Sequence, residues 1–339
     1  MLQRLKHWYY LTGTTAALAS AFARAAWYFA VNGKASLAPL PRKSLTINEI
    51  RRWKHYFYGA TYFRAVFSLL HRHSVSPGEM RLFANLSALA GFFDDLADAF
   101  RRRDQTGIRW QDNPEQYGQT ADSSGRALQF LQNVYGGLPP EDLPQFKQFL
   151  NRVFNLETTG RQQSGQTLPP GELARLTAEK GGYSVLLFRR ALRPPLPETE
   201  QQALFEFGAL VQLCDDIFDL WFDRQNGTDT LATALAAQND IEQLKCLFEH
   251  QVTRTHAAFR QTGFPHSRIE RALSALHYLV SVTRSCLAHY LRLKKKSGSL
   301  PFNNRRAMVV DMGRWSNRFR AGLRVLLDSD AMASASRVD

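Results

Sequence analysis

The chain has 339 residues, 44% of them hydrophobic, which is enough for a large buried core. Its 43 Lys plus Arg against 30 Asp plus Glu leave a formal charge of +13, suited to an anionic partner such as a phosphorylated metabolite, a lipid surface or nucleic acid. Three separated cysteines, Cys214, Cys246 and Cys286, offer neither a disulfide framework nor a C-x-x-C metal site and fit a reducing cytoplasm; no H-E-x-x-H or G-x-x-x-x-G-K-[ST] run exists, which disfavours zinc and P-loop chemistry.

In chain order, residues 1–40 read as an N-terminal helical segment. Arg24 interrupts its apolar run, so a spanning helix is not expected. Trp8, Tyr9, Tyr10, Trp27, Tyr28 and Phe29 beside Lys6, Arg24 and Lys34 suit peripheral contact with a membrane; packing on the protein's own core is the plainer alternative. Residues 41–330 read as one domain and 331–339 as a flexible tail. Thr46 with Glu49, and Ser76 with Glu79, form S/T-x-x-E capping boxes, so helices are predicted to begin there, the second with Pro77 at its first position. Met80, Leu82, Phe83, Leu86, Leu89, Phe92, Phe93 and Leu96 then keep helical spacing to about Arg103. Stretches rich in Pro, Gly, Gln and Asp at 104–124, 136–143 and 161–171 read as connections. After Pro194, Pro195 and Pro197, the apolar face Phe205, Leu210, Leu213, Ile217, Leu220 predicts a second long helix, stopped by Asn226-Gly227. Alternating strand patterns are scarce and no fixed-period repeat is present, so the fold class is all-α.

Both long helices carry the pattern D-D-x-x-D. In FFDDLADAF, Asp94 and Asp98 lie one turn apart with Asp95 beside them; in QLCDDIFDLWFD, Asp215, Asp219 and Asp223 form a row with Asp216 alongside. Like charges at this spacing cost about 0.2–0.5 kcal/mol per pair, so an apolar helix bearing them needs compensating cations. Arginines such as Arg101–Arg103 or Arg224 would serve a solvated face. Mg²⁺, a hard ion that takes carboxylate, water and phosphate oxygens, serves better when two clusters face one diphosphate.

These residues resemble the class I isoprenoid synthase superfamily of trans-prenyl diphosphate synthases and terpene cyclases. Gln212, the DDIFD of 215–219, Asp223 and the GTD of 227–229 are similar to the prenyl synthase pattern F-Q-x-x-D-D-x-x-D followed by glycine, a basic residue and aspartate, with Thr228 in place of the basic residue. Upstream, EKGGYSVLLFRRAL resembles the lysine-containing segment of that family and, more closely, a KGGYSVL segment of large bacterial terpene synthases; Gly181 and Gly182 would alternatively supply a helix C-cap. No G-G-K-x-x-R segment for a homoallylic diphosphate is present, Arg102 and Arg103 only approximate the family's arginine pair, and the second motif is not the N-D-x-x-S-x-x-x-E form of common terpene cyclases. The resemblance covers residues 77–230 well.

It implies a single-domain antiparallel helical bundle of the class I terpenoid synthase type around an apolar cavity, and a Mg²⁺-dependent terpene synthase that ionises a prenyl diphosphate, with a chain-elongating synthase as the alternative. Three Mg²⁺ ions, with Mn²⁺ as substitute, would be held by Asp94, Asp95 and Asp98 and by Asp215, Asp216, Asp219 and Asp223. Lys180 would donate to diphosphate, with Gln212 and Arg314, or Arg318, near it. Phe93, Tyr183 and Phe218, and also Phe92, Phe188 and Phe222, are candidates to face the carbocation, although helical aromatics also serve as ordinary core. A non-catalytic binder of nucleic acid or anionic membrane is the alternative of another class; no nucleic-acid partner is expected, and helical faces leave room for a homodimer.

Overall fold

The computed structural model describes residues 2–32, 45–103, 123–162, 168–310 and 325. They form twelve helices and, among the described residues, no strand. In chain order these are α1 (Leu2–Asn32), α2 (Ile47–His71), α3 (Pro77–Arg103), α4 (Ser123–Gly137), α5 (Leu143–Gln162), α6 (Pro170–Arg189), α7 (Glu198–Phe218), α8 (Leu220–Asn226), α9 (Leu231–Ala237), α10 (Ile241–Arg260), α11 (His266–Ser297) and α12 (Arg305–Met308). Two compact units share the chain: one comprises Thr15–Thr159 with Tyr183–Leu196, the other Met1–Thr14, Gly160–Gly182 and Pro197–Asp339.

In the first unit α3 packs on α2 and α4. Of its eight periodic apolar residues, all but Phe93 are buried, and Phe92 lies flat on Phe130 at 6.0 Å between ring centroids. The Trp53 indole N–H donates to the Ala84 carbonyl (3.0 Å) and pins α2 to α3. Both capping boxes form. Thr46 and Glu49 exchange side-chain-to-backbone bonds, and the Ser76 N–H donates to Glu79 (2.7 Å) while the Glu79 N–H reaches the Ser76 hydroxyl (3.3 Å).

Glu79 does more than cap. Only 2% exposed, its carboxylate also accepts from the Arg193 N–H (2.9 Å) and contacts His73 Nε2 (2.8 Å), tying the start of α3 to the segment after α6. Burial opposes its ionisation, but the bonds from Arg193, Ser76 and His73 outweigh burial and hold its pKa below the ordinary glutamate value. Its contribution to stability is therefore present above the unfolded-state pKa and lost as pH falls through the lower folded value. Glu79→Gln removes that charge and one acceptor; a loss of about 2 kcal/mol is expected, read as a lower urea midpoint at unchanged slope.

Arg189, fully buried at the end of α6, donates to the carbonyls of Pro194 (3.0 Å) and Pro195 (2.9 Å) and lies 3.0 Å from His71 Nε2. His71 and His73, at the end of α2 and just after it, thus both hold structural bonds.

In the second unit α7 is central and packs on α9, α10 and α11. Phe207, Leu210 and Ile217 of α7, Phe248 and Phe259 of α10, and Leu273 and Leu276 of α11 are all fully buried. The helix starts after Pro197 as the proline cluster predicts, and its continuation ends on Gly227, whose φ of 66° is the left-handed conformation that glycine adopts without strain. The single long helix expected between them is interrupted: Asp219, at φ −91° and ψ 6°, separates α7 from α8.

Candidate metal and diphosphate site

The second carboxylate cluster is built on α6, α7 and α8 within one unit, and its foundation is a contact between glycines. α6 runs unbroken through Gly181 and Gly182, so these residues are not a C-cap. They let α6 approach α7: a Cβ on Gly181 would fall 2.1 Å from the Gly208 carbonyl oxygen, and one on Gly182 2.4 Å from the Phe205 ring. Any side chain at Gly181 or Gly208 would drive the two backbones apart.

That approach places Thr177 and Lys180 of α6 against the acidic turn of α7. Asp216, only 5% exposed, accepts from the Gln212 amide at Oδ1 (2.9 Å) and from the Thr177 hydroxyl at Oδ2 (3.0 Å). Gln212, placed near the substrate by the resemblance, holds Asp216 through this bond. Thr177 goes unremarked in the sequence, although it lies three residues before Lys180 and so shares its side of the helix. Tyr290 of α11, also unremarked, donates its hydroxyl to the Ile217 carbonyl (3.1 Å) just before the break at Asp219.

Electrostatics bind the group together. Burial of its carboxyl among neighbouring groups, then Asp219 and Asp216, raise Asp215 to about 6, with Lys180 pulling the other way, although the residue as a whole is exposed. Asp223 rises to about 7, chiefly through burial and then through Asp216, Asp219 and Asp215, again opposed by Lys180. Asp216 is raised by burial against the pull of Gln212, Thr177 and Lys180. Four carboxylates and one ammonium thus sense one another, and negative charge is in excess.

Among the described residues no three Asp, Glu, His or Cys side chains are grouped so that they could hold a metal ion by themselves. The donor set still suits Mg²⁺, which needs one or two carboxylates and fills its remaining positions with water and phosphate oxygens. A test follows from the signs. Between about pH 4 and 7 the folded chain holds a proton on Asp223 that the unfolded chain has released, so in the absence of divalent ions this group makes stability fall as pH rises through that window. Relative to Asp223→Asn, the wild type should lose thermal stability from pH 4 to 7 and recover it at pH 7.5 when Mg²⁺ is added.

Of the first cluster, only the Asp95 side chain is described. It pairs with Arg52 at 3.2 Å, and the same guanidinium stands 5.2 Å from the centre of the Phe92 ring. The side chains of Asp94, Asp98 and Arg101–Arg103 lie outside the described residues, as do Arg314 and Arg318. Phe93 is half-buried, edge-on to Phe154 at 6.1 Å; Tyr183 packs on Phe149 at 5.9 Å. Phe188, between Phe63 and Phe83, and Phe92, on Phe130, are core. Phe222 is covered by Arg305, 5.3 Å from its ring centre, and Phe218 is half-buried at the end of α7. Arg224 stands over Phe302 at 5.9 Å instead of pairing with the acidic row.

No family model matches the chain, and no curated protein matches it. The fold is similar to that in the crystal structure of a geranyltransferase from Legionella pneumophila, at 12% sequence identity and a TM-score of 0.50, over 81% of this chain and 99% of that one. At that identity the likeness is one of fold, and it agrees with the all-helical fold expected from the sequence.

Proposed function

We propose that the chain is a Mg²⁺-dependent class I isoprenoid synthase of the terpene synthase kind, acting on a single linear prenyl diphosphate. The observation that supports this reading most is the placement of Lys180 beside Asp215, Asp216, Asp219 and Asp223, held by the glycine contact of α6 and α7. A row of ionised carboxylates would repel a diphosphate; bound Mg²⁺ supplies the positive charge that reverses this and stabilises the departing pyrophosphate.

In this reading Asp215, Asp219 and Asp223 would hold Mg²⁺, and Asp216 adds charge while Gln212 and Thr177 fix its orientation; on α3, Asp94, Asp95 and Asp98 are the ligands that the resemblance implies. Lys180 donates to a diphosphate oxygen. The allylic C–O bond breaks with its electron pair going to pyrophosphate, and the carbocation ends by losing a proton to form a terpene hydrocarbon. Phe218, half-buried at the end of α7, is the aromatic residue of this unit proposed to face that cation, and its ring would offer about 0.5–2 kcal/mol without forming a bond to it.

The second reading is chain elongation. It is favoured by the D-D-I-F-D form of the second motif and by the likeness of fold to the Legionella geranyltransferase. One experiment separates them: the purified chain is incubated with C10, C15, C20 and C25 prenyl diphosphates and Mg²⁺, with and without isopentenyl diphosphate. Hydrocarbon and pyrophosphate from one substrate alone are expected. Longer diphosphates formed only with isopentenyl diphosphate would make it an elongating synthase, and no pyrophosphate in any mixture would overturn both.

A further inference from the structure

Helix α1 is built unlike the others. From Trp8 to Val31 its only charged residue is Arg24, and α1 as a whole has no acidic residue. Such a helix is apolar nearly all round, a composition that belongs in a protein core or at a membrane. Yet only a narrow stripe of it is buried, Leu11, Thr14, Ala21 and Ala25, while Ala16, Ala19, Ala23, Ala26, Trp27, Ala30 and Val31 face solvent.

The exposure is concentrated. Among the described residues the exposed large hydrophobic side chains are Trp8, Tyr9, Phe22, Trp27 and Val31 on α1 and Ile47, Ile50 and Tyr56 on α2, with none on α3–α12. Trp27 is 65% exposed and Ile47 70%. Basic residues flank them. Arg24, Arg51 and Lys54 are exposed and have no ion pair among the described residues, and over α1 and α2 the only acidic residue is Glu49, which is buried and bonded to Arg126.

We infer that the outer faces of α2 and of α1 from Phe22 to Val31, which belong to one unit, form a docking surface for an anionic lipid bilayer, on which the chain rests without crossing it. No helix of the described residues is long and apolar enough to span a membrane, which leaves the plane of the interface. There Trp and Tyr sit at headgroup level, Ile and Val enter the acyl boundary, and unpaired Arg and Lys meet lipid phosphates. A second copy of the chain would fit less well, because a symmetric self-interface brings this positive charge against itself. Nucleic acid would repay the basic residues but not exposed Ile47, Ile50 and Val31.

The test is co-sedimentation of the full chain with vesicles of phosphatidylcholine alone or of phosphatidylcholine with phosphatidylglycerol. Binding is expected to the anionic vesicles, to weaken with salt, and to fall about tenfold or more in Trp27→Ser/Val31→Ser and in Arg51→Glu/Lys54→Glu. All four positions are surface-facing, so the variants should keep the wild-type melting curve. A chain that stays in the supernatant with both vesicle types, or variants that bind as the wild type does, would overturn the inference. So would a wild-type dimer that Trp27→Ser/Val31→Ser splits into monomers, since the face would then be covered by a second copy.

Discussion

Alanine in place of Gly208 is expected to destabilise the chain by about 3 kcal/mol, although alanine is the better helix former by about 1 kcal/mol. The added Cβ would lie 2.2 Å from the Gly181 carbonyl oxygen and 2.6 Å from its carbon. Those are backbone atoms, which cannot rotate out of the way, so α6 and α7 must separate and the buried contacts between them are lost. Gly59 is the control: it is an exposed position in the middle of α2 with nothing within 4 Å of its missing Cβ. Gly59→Ala should gain about 0.5–1 kcal/mol by propensity alone. Urea denaturation of both variants reads the two signs, and a Gly208→Ala protein as stable as the wild type would mean that the helices do not meet at this glycine.

Asp216→Asn should leave the fold intact and abolish most of the activity. An asparagine keeps the shape, its Oδ1 can still accept from Gln212, and the Thr177 hydroxyl can reverse its role and accept from the new amide. What disappears is the charge. Asp216 acts on both Asp215 and Asp223, so both should ionise at lower pH once it is neutral. Pyrophosphate release is expected to fall about 10²–10³-fold, the range typical for removal of one preorganised electrostatic partner. Thermal stability without Mg²⁺ at pH 7.5 should be equal to or above that of the wild type, because a buried repulsion has been removed. Parallel loss of stability and turnover would instead make Asp216 a structural residue.

The helical skeleton was legible because α3 obeys local rules from end to end. Ser76, Pro77 and Glu79 start it, a 3.6-residue apolar period carries it, and the structure returns Pro77–Arg103. The second carboxylate row was legible too, since its like charges on an apolar helix demand a reason. What sequence concealed was tertiary. Gly181-Gly182 can equally end a helix or admit a neighbour, and only the partner glycine at 208, in an otherwise apolar run, distinguishes the two; an isolated glycine inside a helical pattern was the available sign. Thr177 was hidden because its role is defined by Asp216, which lies 39 residues away. The break at Asp219 has no local breaker residue to announce it. For Phe188, packed between Phe63 and Phe83, periodicity gives a face and says nothing of what covers it.

That break bears on which ions the site will accept. A continuous helix would hold Asp215, Asp219 and Asp223 at rigid intervals of about 6 Å along its axis. Here Asp223 belongs to the seven-residue α8, while Asp215 belongs to α7, whose end is secured by the Tyr290 hydroxyl. The outer carboxylates thus lie on either side of the break, across which the Asp219 and Asp223 N–H groups still donate to the Asp215 and Asp219 carbonyls at 2.8 Å each. Mn²⁺, a little larger than Mg²⁺ and equally content with oxygen donors, should substitute for it with modest loss. Ca²⁺, with longer bonds and a higher coordination number, should bind without supporting turnover, so selectivity is exerted at the reaction and not at binding.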